Sequence, residues 1–230
     1  MKLIKNSDQF RARFQRNCTN VETNPTTAKS ITDIASSKHR FDSHSRPFGR
    51  GCIYFQALLV TAQQILDEHG ASDGPGSRSL EFLEFMDTER ALSFAMMADA
   101  GDEVLQLVRF LESEQFDKTS LAPQLDEFMH RIQVLFTHGQ CVKTGYTKHM
   151  LTVLSKSVTV FLKKHEPKNI GHNGPVPEDM IRRCLLRLQR WVSLALTVLR
   201  AEFPNFEVLQ TFQAFELARS SVQRSHDEDR

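Results

Sequence analysis

Apolar side chains recur at every third or fourth position through most of this 230-residue chain, and no stretch alternates with the period of two that marks a half-buried strand. That pattern predicts helices that must pack on one another, because helices of ordinary length are marginal alone in water. The clearest lies at 178–200. Ile181, Leu185, Leu188, Val192, Ala195 and Leu199 fall on one face, Glu178 and Asp179 occupy the first turn and Arg200 the last, signs that suit the helix dipole. A buried helix is read from Cys52 through Val60, Ile65 and Leu66 to an end near Gly70. Leu80, Leu83 and Met86 follow at helical spacing, then the apolar stretch Ala91 to Met97. Val104, Leu107, Val108 and Leu111 form a separate stripe whose first turn holds Asp102 and Glu103. Leu121, Leu125, Phe128, Ile132 and Leu135 give the next, with Ser120 as its N-cap and Gly139 as its stop. Tyr146, Met150, Leu154, Val158 and Phe161 make one more.

Between these stripes, Gly70–Ser77 reads as a linker and Pro167–Pro177 as a loop, each rich in Gly and Pro. Pro204 breaks the chain, and Phe206, Leu209 and Phe212, with Phe215, start a short final helix. No fixed repeat is visible, which excludes a solenoid. The expected fold is all-α, an irregular multi-helix bundle of about seven helices. Three segments are expected. Residues 1–45 are a loose, polar, basic N-terminal arm, largely disordered, with a short helix at 6–16. Residues 46–217 are one helical domain, and residues 218–230 a frayed polar tail.

Composition narrows the class. Hydrophobic residues make up 40% and charged residues 25%, which excludes collagen-like, acidic disordered and supercharged chains. The formal net charge of +1 conceals segregation. Residues 1–50 hold 10 Lys/Arg against 4 Asp/Glu, residues 80–130 hold 3 against 12, and residues 140–200 hold 11 against 3. Such blocks pair with each other inside a fold or present patches to partners. Four cysteines, at 18, 52, 141 and 184, are too few and too scattered for a disulfide scaffold. No apolar run reaches the roughly 20 residues of a membrane span, and the first 17 residues lack the apolar core of a secretory signal. Their arginines suit a mitochondrial transit peptide, but Asp8 and the lack of a clean amphipathic helix do not. A reducing compartment, nucleus or cytosol, is expected, so the sequon Asn17-Cys18-Thr19 carries no glycan.

Catalytic signatures are missing. His138-Gly-Gln-Cys141 is a single close pair, where a structural zinc needs two; it reads as a helix end, and no metal is expected. Cys184, among apolar neighbours, reads as core. There is no nucleophile elbow and no phosphate-cradling glycine loop, so no cofactor is expected. Asp87, Glu89, Asp99, Asp102 and Glu103 read as solvated helix faces rather than converging catalytic acids. The strongest candidate is basic. Arg183, Arg187 and Arg190 are spaced i, i+4, i+7 on one helix face with Arg182 alongside, and Lys163 and Lys164 lie upstream. That stripe suits phosphate contact without base reading, or pairing with the acidic block at 80–130, or a plain solvated face. Trp191, beside the apolar face, suits core or interface.

Four stretches carry a family likeness: Phe41-Asp-Ser-His-Ser-Arg-Pro-Phe-Gly-Arg50, Ala95-Met-Met-Ala-Asp99, Leu107-Val-Arg-Phe-Leu111 and Arg200-Ala-Glu-Phe-Pro-Asn-Phe-Glu207. Across residues 38–217 the chain resembles the helical region of hAT-type transposase-like proteins, an all-helical segment inserted in an RNase H-like catalytic domain. In that likeness residues 98–117 follow the second catalytic acid, and residues 200–217 lie near the end of the helical region. The departures are definite. No BED-type zinc finger, N-terminal strand-borne Asp or C-terminal dimerisation segment is found, and the family's Cys-x-x-His order is reversed at His138 and Cys141. No catalytic residue carries over. The resemblance therefore implies a catalytically dead remnant or fragment. It would act by protein interaction or weak phosphate-backbone DNA contact, with no membrane and no small-molecule substrate. The alternatives are a helical interaction domain unrelated to transposases, or a small helical enzyme whose site forms only in three dimensions.

Overall fold

The computed structural model describes residue 4, residues 7–20, 42–113, 120–163, 166–203, and residues 208 and 211. Eight α-helices and one small antiparallel strand pair account for most of these, so the chain is all-α. In order they are α1 (Asp8–Asn20), α2 (Asp42–Ile53), α3 (Phe55–His69), α4 (Gly74–Phe85), α5 (Thr88–Leu111), α6 (Leu121–Ile132), α7 (Gly145–Leu154), β1 (Val158–Phe161), β2 (Pro167–Ile170) and α8 (Glu178–Glu202). No helix among the described residues is long and apolar enough to cross a membrane. The chain divides into two units, residues 1–102 with 140–185, and residues 103–139 with 186–230.

In the first unit α1 lies on α3. Phe14 and Cys18 of α1 are buried with Tyr54, Ala57 and Leu58, and the Phe14 and Tyr54 rings meet edge to face at 6.0 Å. The helix expected at 6–16 thus runs further, to Asn20. The buried Asn17 amide donates to Thr61 Oγ1 (2.9 Å) and Gln64 Oε1 (3.0 Å), and the Arg13 guanidinium pairs with Glu68. The one long helix read from Cys52 to Gly70 is instead interrupted at Tyr54, between α2 and α3. The linker reading of 70–77 holds only for its first half. Asp73 takes the N-cap position, accepting from the Gly74 amide, and Pro75 sits in the first turn, where its missing N–H costs nothing.

The acidic turn expected at Asp102 is also absent. Gly101 is carried inside a continuous 24-residue α5, so Asp102 and Glu103 are mid-helix. The true N-cap is Asp87, whose carboxylate accepts from the Arg90 amide at 2.7 Å. Val158 and Phe161, read as the end of a helical stripe, are in β1. β-Branched Val158, Thr159 and Val160 favour extended backbone, and Thr159 bonds its cross-strand partner Asn169 at 2.8 Å. The Phe161 amide donates to Gln63, while Lys168 Nζ on β2 reaches the last carbonyls of α4 at Leu83 (3.0 Å) and Glu84 (2.6 Å), where a cation suits the helix dipole.

The second unit buries Leu105 and Leu107 of α5, Ala122, Leu125, Phe128 and Ile132 of α6, Phe136, and Leu188 and Val192 of α8. Arg131 joins Glu103 (2.7 Å) and Glu127. Trp191 meets Phe136 edge to face at 6.0 Å, the packing role expected of it. After α6 a π-helical turn, Gln133–Thr137, runs into Gly139 with φ 69°, the stop read from sequence. Pro204, the final helix expected from Phe206, Leu209, Phe212 and Phe215, and the tail lie outside the described residues.

Candidate functional site

The helix that carries the basic stripe, α8, has a buried side formed by Cys184, Leu188 and Val192, with Ile181, Leu185, Ala195 and Leu199 half-buried beside them. At 100° per residue the opposite side presents Arg182, Arg183, Arg187 and Arg190, all exposed as the spacing predicts. Arg183 is committed within the first unit. Its guanidinium bonds Glu89 Oε2 (3.0 Å) on α5 and Asp179 one turn back, which raises Arg183 above its ordinary range and holds Asp179 below the usual carboxylate range. Lys163 lies 3.9 Å from Glu84. Both are pairings of a basic residue with the acidic block. Lys164 lies outside the described residues. Arg182 and Arg190 make no ion pair with a described residue.

Sequence reading missed the apolar part of the same surface. Leu186 is 51% exposed, Leu194 61% and Val198 48%. With Arg190 they form the row i, i+4, i+8, i+12, a straight ridge on the second unit's part of α8. The signal was present in the spacing. It was masked because the inward stripe on α8 explains a helix without it.

A second cluster lies inside the first unit. Asp99, read from sequence as solvated, is only 8% exposed. Its carboxylate accepts from the Tyr146 amide (2.7 Å), the Thr147 amide (2.9 Å) and Thr147 Oγ1 (2.6 Å). These amides are among the first of α7, whose own N-cap, Thr144, makes no side-chain cap bond; a carboxylate 47 residues away in sequence supplies the cap. Gly145, with φ 63°, is needed because a Cβ there would overlap Asp99, and a Cβ at Gly49 would overlap the Tyr146 ring. Cys52 and Cys141, both fully buried, lie within the field of Asp99. Burial, reinforced by that negative charge, pushes Cys141 up to about 12 and Cys52 higher still, so both are neutral thiols at neutral pH. Tyr146 is pushed to about 12 by burial and by neighbouring Asp102.

Cys184 is fully buried, accepting from Ser93 Oγ at 3.3 Å, as its core reading predicts. His138 is exposed while Cys141 is fully buried. Among the described residues no three His, Cys, Asp or Glu side chains are grouped to hold a metal. An open cleft of about 610 Å³ between α1 and α3 is lined by Arg13, Arg16, Asn17, Gln64, Asp67 and Glu68, with Arg13 and Glu68 already paired. Comparison with family models, with curated proteins and with solved structures finds no match to this chain.

Proposed function

We propose that this chain is a non-catalytic helical module that acts by protein contact through the outer face of α8, in the nucleus or cytosol, where its four thiols stay reduced. The observation that carries this reading is the ridge of Leu186, Leu194 and Val198, each about half exposed along one face. Apolar side chains lined up on one helix face, rather than scattered singly, mark contact surfaces. The all-α fold suits descent from an hAT-type helical region, which rests on the four stretches quoted above.

The test compares the wild-type chain with Leu186→Ser/Leu194→Ser/Val198→Ser by proximity labelling in cells. Because these side chains are exposed, the variant's melting temperature should stay within about 2 °C of wild type. Labelling of its neighbours should be lost. A variant that labels the same neighbours refutes the proposal.

A second reading, phosphate contact, is favoured by Arg182 and Arg190, which are exposed and make no ion pair with a described residue. It predicts retention of duplex DNA at ~50 mM salt, where phosphate contacts are strong. Arg182→Glu/Arg190→Glu should abolish that retention. A wild-type chain that passes DNA unretained at this salt removes the reading.

A further inference from the structure

We propose that the cleft between α1 and α3 binds a small zwitterion, a molecule with an ammonium group at one end and a carboxylate at the other. This site does not depend on the α8 contact reading. Arg13, Arg16 and Asn17 on α1 and Gln64, Asp67 and Glu68 on α3 repeat the same i, i+3, i+4 spacing, so each helix turns one polar wall toward the cleft. Its volume, about 610 Å³, is in the range of small-molecule sites. The most buried lining residue is Asn17, 6% exposed, and a chain of bonds fixes which way its amide points. The Thr61 hydroxyl donates to the Ala57 carbonyl (2.7 Å), so toward Asn17 it can only accept, and Asn17 turns its NH2 to it (2.9 Å). The same NH2 donates to Gln64 Oε1 (3.0 Å). Two groups are left over. Asn17 Oδ1 accepts from no described residue and is not sealed off from solvent, and the Gln64 amide nitrogen has no acceptor among the described residues.

Charge selects the ligand. Arg13 and Glu68 neutralise each other across the cleft. Arg16 and Asp67 are exposed on opposite walls, and neither makes an ion pair with a described residue. They do not close on each other, so a molecule carrying both signs can bridge them. Its carboxylate would take Arg16, with the Gln64 amide nitrogen as a further donor, and its ammonium would take Asp67, with Asn17 Oδ1 as a further acceptor. Other ligands fit less well. A simple anion meets Asp67 and Glu68, and a simple cation meets Arg13 and Arg16. An apolar molecule finds no apolar side chain among the described lining residues.

The experiment titrates the isotope-labelled full chain with glycine, β-alanine, γ-aminobutyrate and ε-aminocaproate in low-salt buffer and follows backbone amide shifts. This series varies the spacing of the two charges. Each probe is net neutral, so it adds no ionic strength to screen the cleft. At least one should shift amides of α1 and α3 with a Kd of about 10 mM or tighter, and its amine-only and acid-only analogues should bind about tenfold or more weakly. On Arg16→Gln that zwitterion should bind no better than its amine-only analogue. On Asp67→Asn it should bind no better than its acid-only analogue. Both side chains are exposed, so amide shifts outside α1 and α3 should be unchanged, the check that the variants are folded. No saturable shift from any probe up to about 50 mM overturns the proposal. So does equal binding of the one-charge analogues, or zwitterion binding that both variants leave unaltered. None of these outcomes touches the α8 reading, which rests on other residues.

Discussion

The N-terminus of α7 and the outer face of α8 treat charged and apolar groups in opposite ways. At α7 the charge is inside. Asp99 is buried, and two backbone amides and a hydroxyl converge on it. At α8 apolar side chains lie outside and arginines stand among them. A buried carboxylate persists only when its oxygens are satisfied, so the first arrangement is closed to further partners and serves the fold. An exposed ridge contributes little to folding, so the second arrangement points outward to binding. The lesson is that titratable residues close together are not themselves a sign of chemistry. What matters is whether their bonds are spent internally.

The sharpest way to break this contrast is Asp99→Ala. It removes the acceptor for two helix amides and the Thr147 hydroxyl, leaving buried donors unpaired. The expected loss is about 3 kcal/mol or more in chemical denaturation, since each orphaned buried group costs about 1–3 kcal/mol. A loss near zero, like that expected at the half-exposed Leu186, Leu194 and Val198, would erase the distinction.

Gly49→Ala should come next. Its Cβ would overlap the Tyr146 ring, and relief by shifting that ring is expected to cost about 1–3 kcal/mol. Removing the clash with Tyr146→Leu in the same chain should recover part of the loss, which the double-mutant cycle measures.

The effect that is smallest at neutral pH, and emerges only in alkali, is a pH dependence. Burial raises Cys18 from 9.0 to about 11 and Cys141 from 9.0 to about 12. The unfolded chain therefore gives up these protons first as pH climbs through 9. The stability carried by the neutral thiols is complete below that point and is lost between pH 9 and about 12. Denaturation midpoints should be level near neutral pH and fall above about 9, and the fall should be shallower in Cys141→Ala. A midpoint that rises with pH in this range would contradict the burial of these groups.

The legibility of the fold follows from how local each signal is. The inward stripe of α8 and the stop at Gly139 depend on spacing within one helix or one turn, and both were readable. The break at Tyr54, the merger of two stripes into α5 across Gly101, and the β1–β2 pair were not. Each depends on what packs against the segment, and a four-residue strand leaves no periodicity to detect. The basic stripe was placed correctly on the exposed side of α8. Which arginine is engaged with Glu89 was not readable, because Glu89 lies 94 positions away.

By itself, the sequence determined that this chain is helical, that its cysteines do not form a scaffold, and that α8 has an apolar side and a basic side. These follow from composition and from the 3.6-residue period, which are properties of neighbouring positions. Only the tertiary structure decided that Asp99 is buried as the cap of a distant helix, that Arg183 is paired, and that Leu186, Leu194 and Val198 remain exposed. Burial is a property of the surfaces that meet, and the meeting of α5 with α7 or of Glu89 with Arg183 is set by long-range packing that no local pattern encodes.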